Sequence, residues 1–150
     1  MKIAVASDHR GFKLKTELID YLIDKDYEVI DCGTFSEEST DYPDYAFKLG
    51  ESVSKQAAEF GIAICGTGIG ISIACNKVKG IRCAKVDTEE EVIATRNDND
   101  SNIIAFGEKM SLEKAKKLVD LFISTPCSKE EKHIRRINKI KEYEEHKNDI

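Results

Sequence analysis

Residues Gly61-Ile62-Ala63-Ile64-Cys65 form an unbroken apolar run that stops at Gly66-Thr67-Gly68-Ile69-Gly70. A strand that is apolar at successive positions has to be covered on both faces, as strands of a parallel sheet are. Glycines at its end permit a tight turn, and Ile71 to Lys77 then reads as a helix. This joint of a doubly covered strand, a glycine loop and a helix admits few architectures other than layered α/β ones.

The rest of the chain repeats the alternation. Ile3 to Ser7, Glu28 to Cys32, Ile81 to Val86 and Asn102 to Phe106 read as further strands. Phe12 to Lys25 reads as a helix with Leu14, Leu18 and Leu22 on one face. Further helices are expected over Asp44 to Ala58, Thr88 to Arg96 and Leu112 to Ser124. Tyr42-Pro43 reads as loop. Short joints between strands and helices mean βαβ units, so the expected fold is α/β. It is a three-layer α/β/α sandwich, Rossmann-like, on a parallel sheet of about five strands. The 150 residues suit one domain. After Pro126 the pattern changes to a charged segment, Lys129 to Lys147, with a narrow stripe of Ile134, Ile137 and Ile140. Residues 127–150 read as a C-terminal helical arm. It is either a solvated helix packed by one edge or an arm laid on another subunit.

Charge and cysteine usage narrow the function. The net charge of −5 opposes nucleic acid as a general partner, because backbone binding needs a positive field. No stretch approaches the roughly 20 apolar residues of a membrane helix, and the N-terminal run is too short for a signal peptide. A cytoplasmic location is expected. The five cysteines include no C-x-x-C pair, which opposes a zinc site or disulfide framework. Cys32, Cys75 and Cys83 read as small buried hydrophobes.

Ligands of open parallel sheets bind beyond the carboxyl ends of the strands. That rule points to Asp8-His9, to the loop after Cys65 and to the segment after Val86. The loop lacks the Gly-Lys-Ser/Thr of a phosphate-binding P-loop. Its spacing is G-x-G-x-G rather than the G-x-G-x-x-G of dinucleotide sites. Asp87, where a ribose-binding acid would stand, is better explained as an N-cap with Glu90 in a capping box. Cys65 is then either one more core cysteine or a reacting thiol beside amide donors, the combination needed to enolise a carbonyl compound. Asp8 and His9 are candidates for sugar hydroxyls and a phosphate, and Tyr42 offers a hydroxyl. Lys109, Lys132, His133, Arg135 and Arg136 are candidate phosphate ligands or plain surface charge.

Ser7-Asp8-His9, Asp31-Cys32-Gly33-Thr34, Asp41-Tyr42-Pro43, Ile64 through Ser72, Asn76-Lys77 and Asn102 through Gly107 occur together, in this order. With these blocks the sequence resembles the ribose-5-phosphate isomerase B and galactose-6-phosphate isomerase family, from Met1 to about Phe122 and more weakly to Ile140. The resemblance implies an aldose–ketose isomerase that works through an enediolate, with no cofactor and no metal. It implies Cys65 as the base, with Thr67 assisting. The backbone of Gly66, Gly68, Ile69 and Gly70 would hold the developing oxygen. Asp8, Tyr42 and Asn99 would hold the sugar, and His9, Lys109, Lys132 and Arg136 the phosphate. It further implies a homodimer or homotetramer with sites across the dimer interface. The partner is a small phosphorylated sugar, ribose 5-phosphate or a six-carbon aldose phosphate. A phosphosugar-binding module without catalysis is the alternative from another class.

Three departures from the family pattern stand out. Asp98 occupies the position where a histidine usually opens the sugar ring, and an ordinary Asp is a base rather than an acid near pH 7. Lys109 and Lys132 stand where arginines are usual, which keeps charge but loses bidentate contacts. The C-terminal segment lacks the usual Gly-Gly-Arg-His stretch.

Overall fold

The apolar run becomes β3 (Phe60–Cys65), the central strand of a five-stranded, all-parallel sheet. The computed structural model describes residues 1–146, and the expected helix end at Lys147 lies outside them. In chain order the other elements are β1 (Lys2–Ser7), α1 (Phe12–Asp24), β2 (Glu28–Asp31), α2 (Tyr42–Ser54), α3 (Ile69–Cys75), β4 (Cys83–Lys85), α4 (Glu89–Asn99), β5 (Ile103–Gly107), α5 (Leu112–Ser124) and α6 (Glu131–His146). The strand order is β2-β1-β3-β5-β4.

Residue size divides the two layers of helices. Ile3, Val5, Ile62, Ile64, Ile104 and Phe106 point to one face, where Leu14, Leu18 and Leu22 of α1 and Leu118, Val119 and Phe122 of α5 pack on them. Ala4, Ala6, Ala63, Cys65 and Ala105, with Ile103 as the one large member, point to the other, under Leu49 and Val53 of α2 and Ile71 and Cys75 of α3. Small side chains on that face let α2 and α3 lie close to the backbone, which brings their first residues against the strand ends. The expected buried character holds for Cys32 and Cys75, whereas Cys83 is half-buried.

Several boundaries differ from the sequence reading. Tyr42-Pro43 is not loop: Asp41 is the N-cap and Pro43 lies in the first turn of α2, where a missing N–H costs nothing. The capping box of α4 is built one residue later than expected. Thr88 accepts from the Glu91 amide, and the Glu91 carboxylate accepts from the amides of Asp87 (2.8 Å) and Thr88 (3.0 Å). β4 is only three residues, although Arg82 and Val86 on either side of it still bond to the β5 segment. Of the arm's stripe, Ile137 is buried while Ile134 and Ile140 stay half exposed. No helix among the described residues is long and apolar enough to cross a membrane.

Candidate active site

The strand order places β1 and β3 side by side, and the chain leaves them for opposite layers: α1 on one face, α3 on the other. Diverging connections open a crevice at the carboxyl ends of these two strands. Asp8 and Cys65 stand at its two sides.

Asp8 is buried, and its Oδ1 accepts from the amides of Arg10 (3.0 Å) and Gly11 (3.1 Å), which fixes the turn into α1. Gly11 is required there, since a Cβ would sit 2.7 Å from the Ile64 side chain and 2.8 Å from the Ile64 carbonyl. His9 Nδ1 accepts from the Thr40 amide at 3.2 Å. A neutral His9 therefore carries its proton on Nε2 and can donate it.

Cys65 is 4% exposed, and its Sγ accepts from the Gly68 amide at 3.2 Å. Thr67 Oγ1 accepts from the Ile69 amide at 3.1 Å. Two of the expected loop donors are thus turned inward, one of them onto the sulfur itself. Gly68 holds φ +82°, and a Cβ there would lie 2.6 Å from the Phe106 carbonyl carbon. The Tyr42 ring lies on Gly70, where a Cβ would meet its Cζ at 2.7 Å. The α2 start therefore brings the Tyr42 hydroxyl to the Cys65 loop.

Arg10 belongs to this site although nothing in the sequence singled it out. Its Nε and Nη2 donate to Glu108 Oε2 (3.0 Å) and Oε1 (2.8 Å), a bidentate clamp between the β1 and β5 ends. Its guanidinium lies over Gly66. Hydrogen bonding to Glu108 and the charge of Glu108 push the Arg10 pKa up against an opposing burial effect, with lesser contributions from the charges of Asp8 and Cys65. In return Arg10 holds the Glu108 carboxyl below its ordinary value, with Lys109 and His9 adding to the effect and burial opposing it. A cavity of about 590 Å³ opens beside the loop, lined by Gly66, Thr67, Arg10, Lys85 and Lys109 among others. Its cations outnumber its acids, and its size admits a small phosphorylated molecule.

The remaining expected residues are elsewhere. Asp98 and Asn99 end α4, just before β5, and the Asn102 carbonyl accepts from the Gly61 amide. Cys65 lies four residues further along β3, about 13 Å by strand rise alone. Lys132 and Arg136 are on α6, which packs on α4. Asp98 Oδ1 accepts from Asn97 Nδ2 at 2.7 Å and faces His133 Nε2 at 3.6 Å. Lys132 pairs with Glu130 at 3.6 Å. Asp8, His9, Tyr42, the Cys65–Gly70 loop and Lys109 thus gather at the carboxyl edge of the sheet. Asp98, Asn99, Lys132 and Arg136 form a second group at its amino end. Within a single copy of the chain the two groups lie apart, and the sequence reading expects a site shared across a dimer interface. Asp87 pairs with Lys114 at 3.5 Å, which gives it a structural partner in place of a ribose. Among the described residues, no group of three or more His, Cys, Asp or Glu side chains is placed to hold a metal ion.

Residues 3–140 match the family described as Ribose/Galactose Isomerase. Ribose-5-phosphate isomerase B of Escherichia coli (strain K12) is 41% identical over 148 residues, 98% of this chain and 99% of the relative. Among solved structures, that of Clostridium thermocellum ribose-5-phosphate isomerase B is 44% identical with a TM-score of 0.93, over 97% of this chain and 98% of that one. Mycoplasma genitalium ribose-5-phosphate isomerase B, solved with bound ribulose 5-phosphate, is 35% identical with a TM-score of 0.89, over 96% of each chain.

Proposed function

The chain belongs to the ribose/galactose isomerase family and is an aldose–ketose isomerase of sugar phosphates, and we propose that it interconverts ribose 5-phosphate and ribulose 5-phosphate through an enediolate. The observation that carries this reading is Cys65 Sγ, buried at the carboxyl end of β3 and bonded by the Gly68 amide.

The chemistry follows from that position. The Cys65 thiolate takes the C2 proton of the open-chain aldose, and the electron pair moves onto the C1 carbonyl oxygen as the enediolate forms. The thiol returns the proton to C1 as the C2 hydroxyl passes its own proton to the C1 oxygen and becomes the ketone. Thr67 and the backbone of Gly66, Gly68, Ile69 and Gly70 line the oxygen that gains charge, the Gly68 and Ile69 amides leaving Cys65 Sγ and Thr67 Oγ1 to reach it. Tyr42 and Asp8 hold hydroxyls of the sugar. His9, through Nε2, and Lys109 take the phosphate.

A second copy of the chain completes the site. The group at the amino end lies too far from Cys65 to meet the same sugar, so a head-to-tail dimer, alone or within a tetramer, would bring one protomer's Asp98, Asn99, Lys132 and Arg136 to its partner's Cys65. The half-exposed Ile134 and Ile140 on α6 support such a contact.

Ketose formation from ribose 5-phosphate by wild type and Cys65→Ala, with EDTA present, tests the reading. Turnover by wild type and none by the variant is the expected result. Turnover by Cys65→Ala overturns the mechanism. Wild-type turnover of six-carbon aldose phosphates alone moves the substrate to that class, and binding without turnover of either identifies a phosphosugar-binding module.

A further inference from the structure

The segment from Phe35 to Thr40 leads from β2 to α2, and no part of the proposed reaction uses it. Among the described residues, it makes no backbone–backbone hydrogen bond. Ser36 Oγ accepts from the Glu38 amide, a bond inside the segment itself. Its described hydrogen bonds to the rest of the protein are both made by Thr40. The Thr40 amide donates to His9 Nδ1 at 3.2 Å, and the Thr40 hydroxyl donates to Tyr45 Oη at 3.2 Å.

Tyr45 is a firm anchor for that hydroxyl. It stands one turn into α2, and its ring packs on Gly33, where a Cβ would lie 2.7 Å from Cε1. Hydrogen bonds from Thr34 and Thr40 hold the Tyr45 hydroxyl below the ordinary tyrosine pKa, with burial opposing them. Thr40 thus ties His9, after β1, to the helix whose Tyr42 lies on the Cys65 loop.

His9 gains definition from this bond. A free histidine ring turns within a broad χ2 well, and its neutral form carries the proton on either nitrogen. A donor at Nδ1 sets the ring plane and leaves the proton on Nε2. A side chain that has to be ordered on binding weakens affinity, whereas one already held does not.

We propose that Thr40 is a positioning residue for the sugar phosphate: its amide presents the His9 Nε2–H to the phosphate, and Tyr45, by holding the Thr40 hydroxyl, keeps that amide in place. The proposal rests on the reading of His9 as a phosphate ligand. It adds a support for that ligand from within one protomer, whatever the partner contributes.

Calorimetric binding of inorganic phosphate tests it without turnover, alongside KM and kcat for ribose 5-phosphate. Tyr45→Phe keeps the ring on Gly33 and removes only the acceptor. Thr40→Val keeps the shape and removes only the donor. Each is expected to raise the phosphate Kd and the KM by about 2- to 10-fold, the effect of ordering one side chain on binding, with kcat near wild type. Thr40→Ser retains both bonds and is expected to restore wild-type constants. In a His9→Ala background neither Tyr45→Phe nor Thr40→Val is expected to add a further loss, because residues that act through His9 then have nothing to position. Long-range 1H–15N NMR at about pH 9, where imidazoles are neutral, reads the tautomer directly. His9 is expected to be Nε2–H in wild type and a mixture in Tyr45→Phe. Unchanged constants, losses that add in full to that of His9→Ala, or a tautomer mixture in wild type overturn the proposal. If His9→Ala binds phosphate as wild type does, the reading of His9 fails and the proposal with it.

Discussion

His133 Nε2 faces Asp98 Oδ1 at 3.6 Å across the seam between α4 and α6. Asn97 Nδ2 donates to the same oxygen at 2.7 Å, so Oδ2 is left for another partner. The aspartate at the position of a family histidine thus has a histidine behind it, half hidden, with its Nδ1 buried and without a hydrogen-bond partner. His133 thus stands beside the carboxylate that this chain has in the place of the family's ring-opening histidine.

This arrangement predicts a split between two assays. Ribose 5-phosphate closes its ring through O4, whereas ribulose 5-phosphate cannot close one because its O5 is phosphorylated. A group that opens the ring matters only to the aldose. Asp98→Asn is expected to slow ketose formation by up to about 100-fold, the range of one positioned acid–base group. Exchange of the ribulose 5-phosphate C1 proton with D2O, followed by NMR, is expected to stay near wild type. Asp98→His is expected to match or exceed wild type in the first assay. Equal losses in both assays for Asp98→Asn would assign Asp98 to the enolisation step instead.

Gly68→Ala is expected to damage stability and turnover together. The φ of +82° and the Phe106 backbone 2.6 Å from the new Cβ leave no relaxed position. A cost of about 1–3 kcal/mol follows from the strain alone, and a urea unfolding midpoint measures it. A midpoint equal to wild type would mean that the loop rearranges freely.

Thr88→Ala removes the side-chain cap of α4 but touches no proposed site residue. The expected loss is about 1 kcal/mol, seen as a fall in Tm of about 2–4 °C for a chain of this size. Turnover at 25 °C should be unchanged. A large loss of turnover would tie the α4 start to the Asp98 end of the same helix.

Glu108 sets an acid-side dependence. Arg10 holds its folded pKa below the unfolded value of about 4.3. Its stabilising contribution is therefore complete above that value and disappears as pH falls through the folded one. The pair is partly exposed, so the contribution is modest. Glu108→Gln is expected to flatten the fall in stability below about pH 4 and to leave stability at pH 7 slightly lower, as thermal unfolding across pH would record. A slope identical to wild type would show that the clamp is not formed in solution.

The sequence by itself determined the sheet, its central strand and the Cys65 loop. Apolar periodicity and glycine placement are local, and Ile62-Ala63-Ile64 cannot be covered on both faces in many other ways. It also determined which residues could carry chemistry, because Asp8-His9 and Cys65 fall at strand ends by count. Only the tertiary structure decided which of them meet. Asp98 and Lys132 lie in chain segments as promising as that of Lys109, but strand direction sends them to the opposite end of the sheet, and no local pattern encodes that. Arg10 and His133 were equally silent: one is a single cation after Asp8-His9, the other a single histidine on a charged helix. Their roles arise from contacts spanning 98 residues to Glu108 and, across α4 and α6, to Asp98. Such pairings depend on how layers pack, which is settled by the whole core rather than by any neighbouring residue.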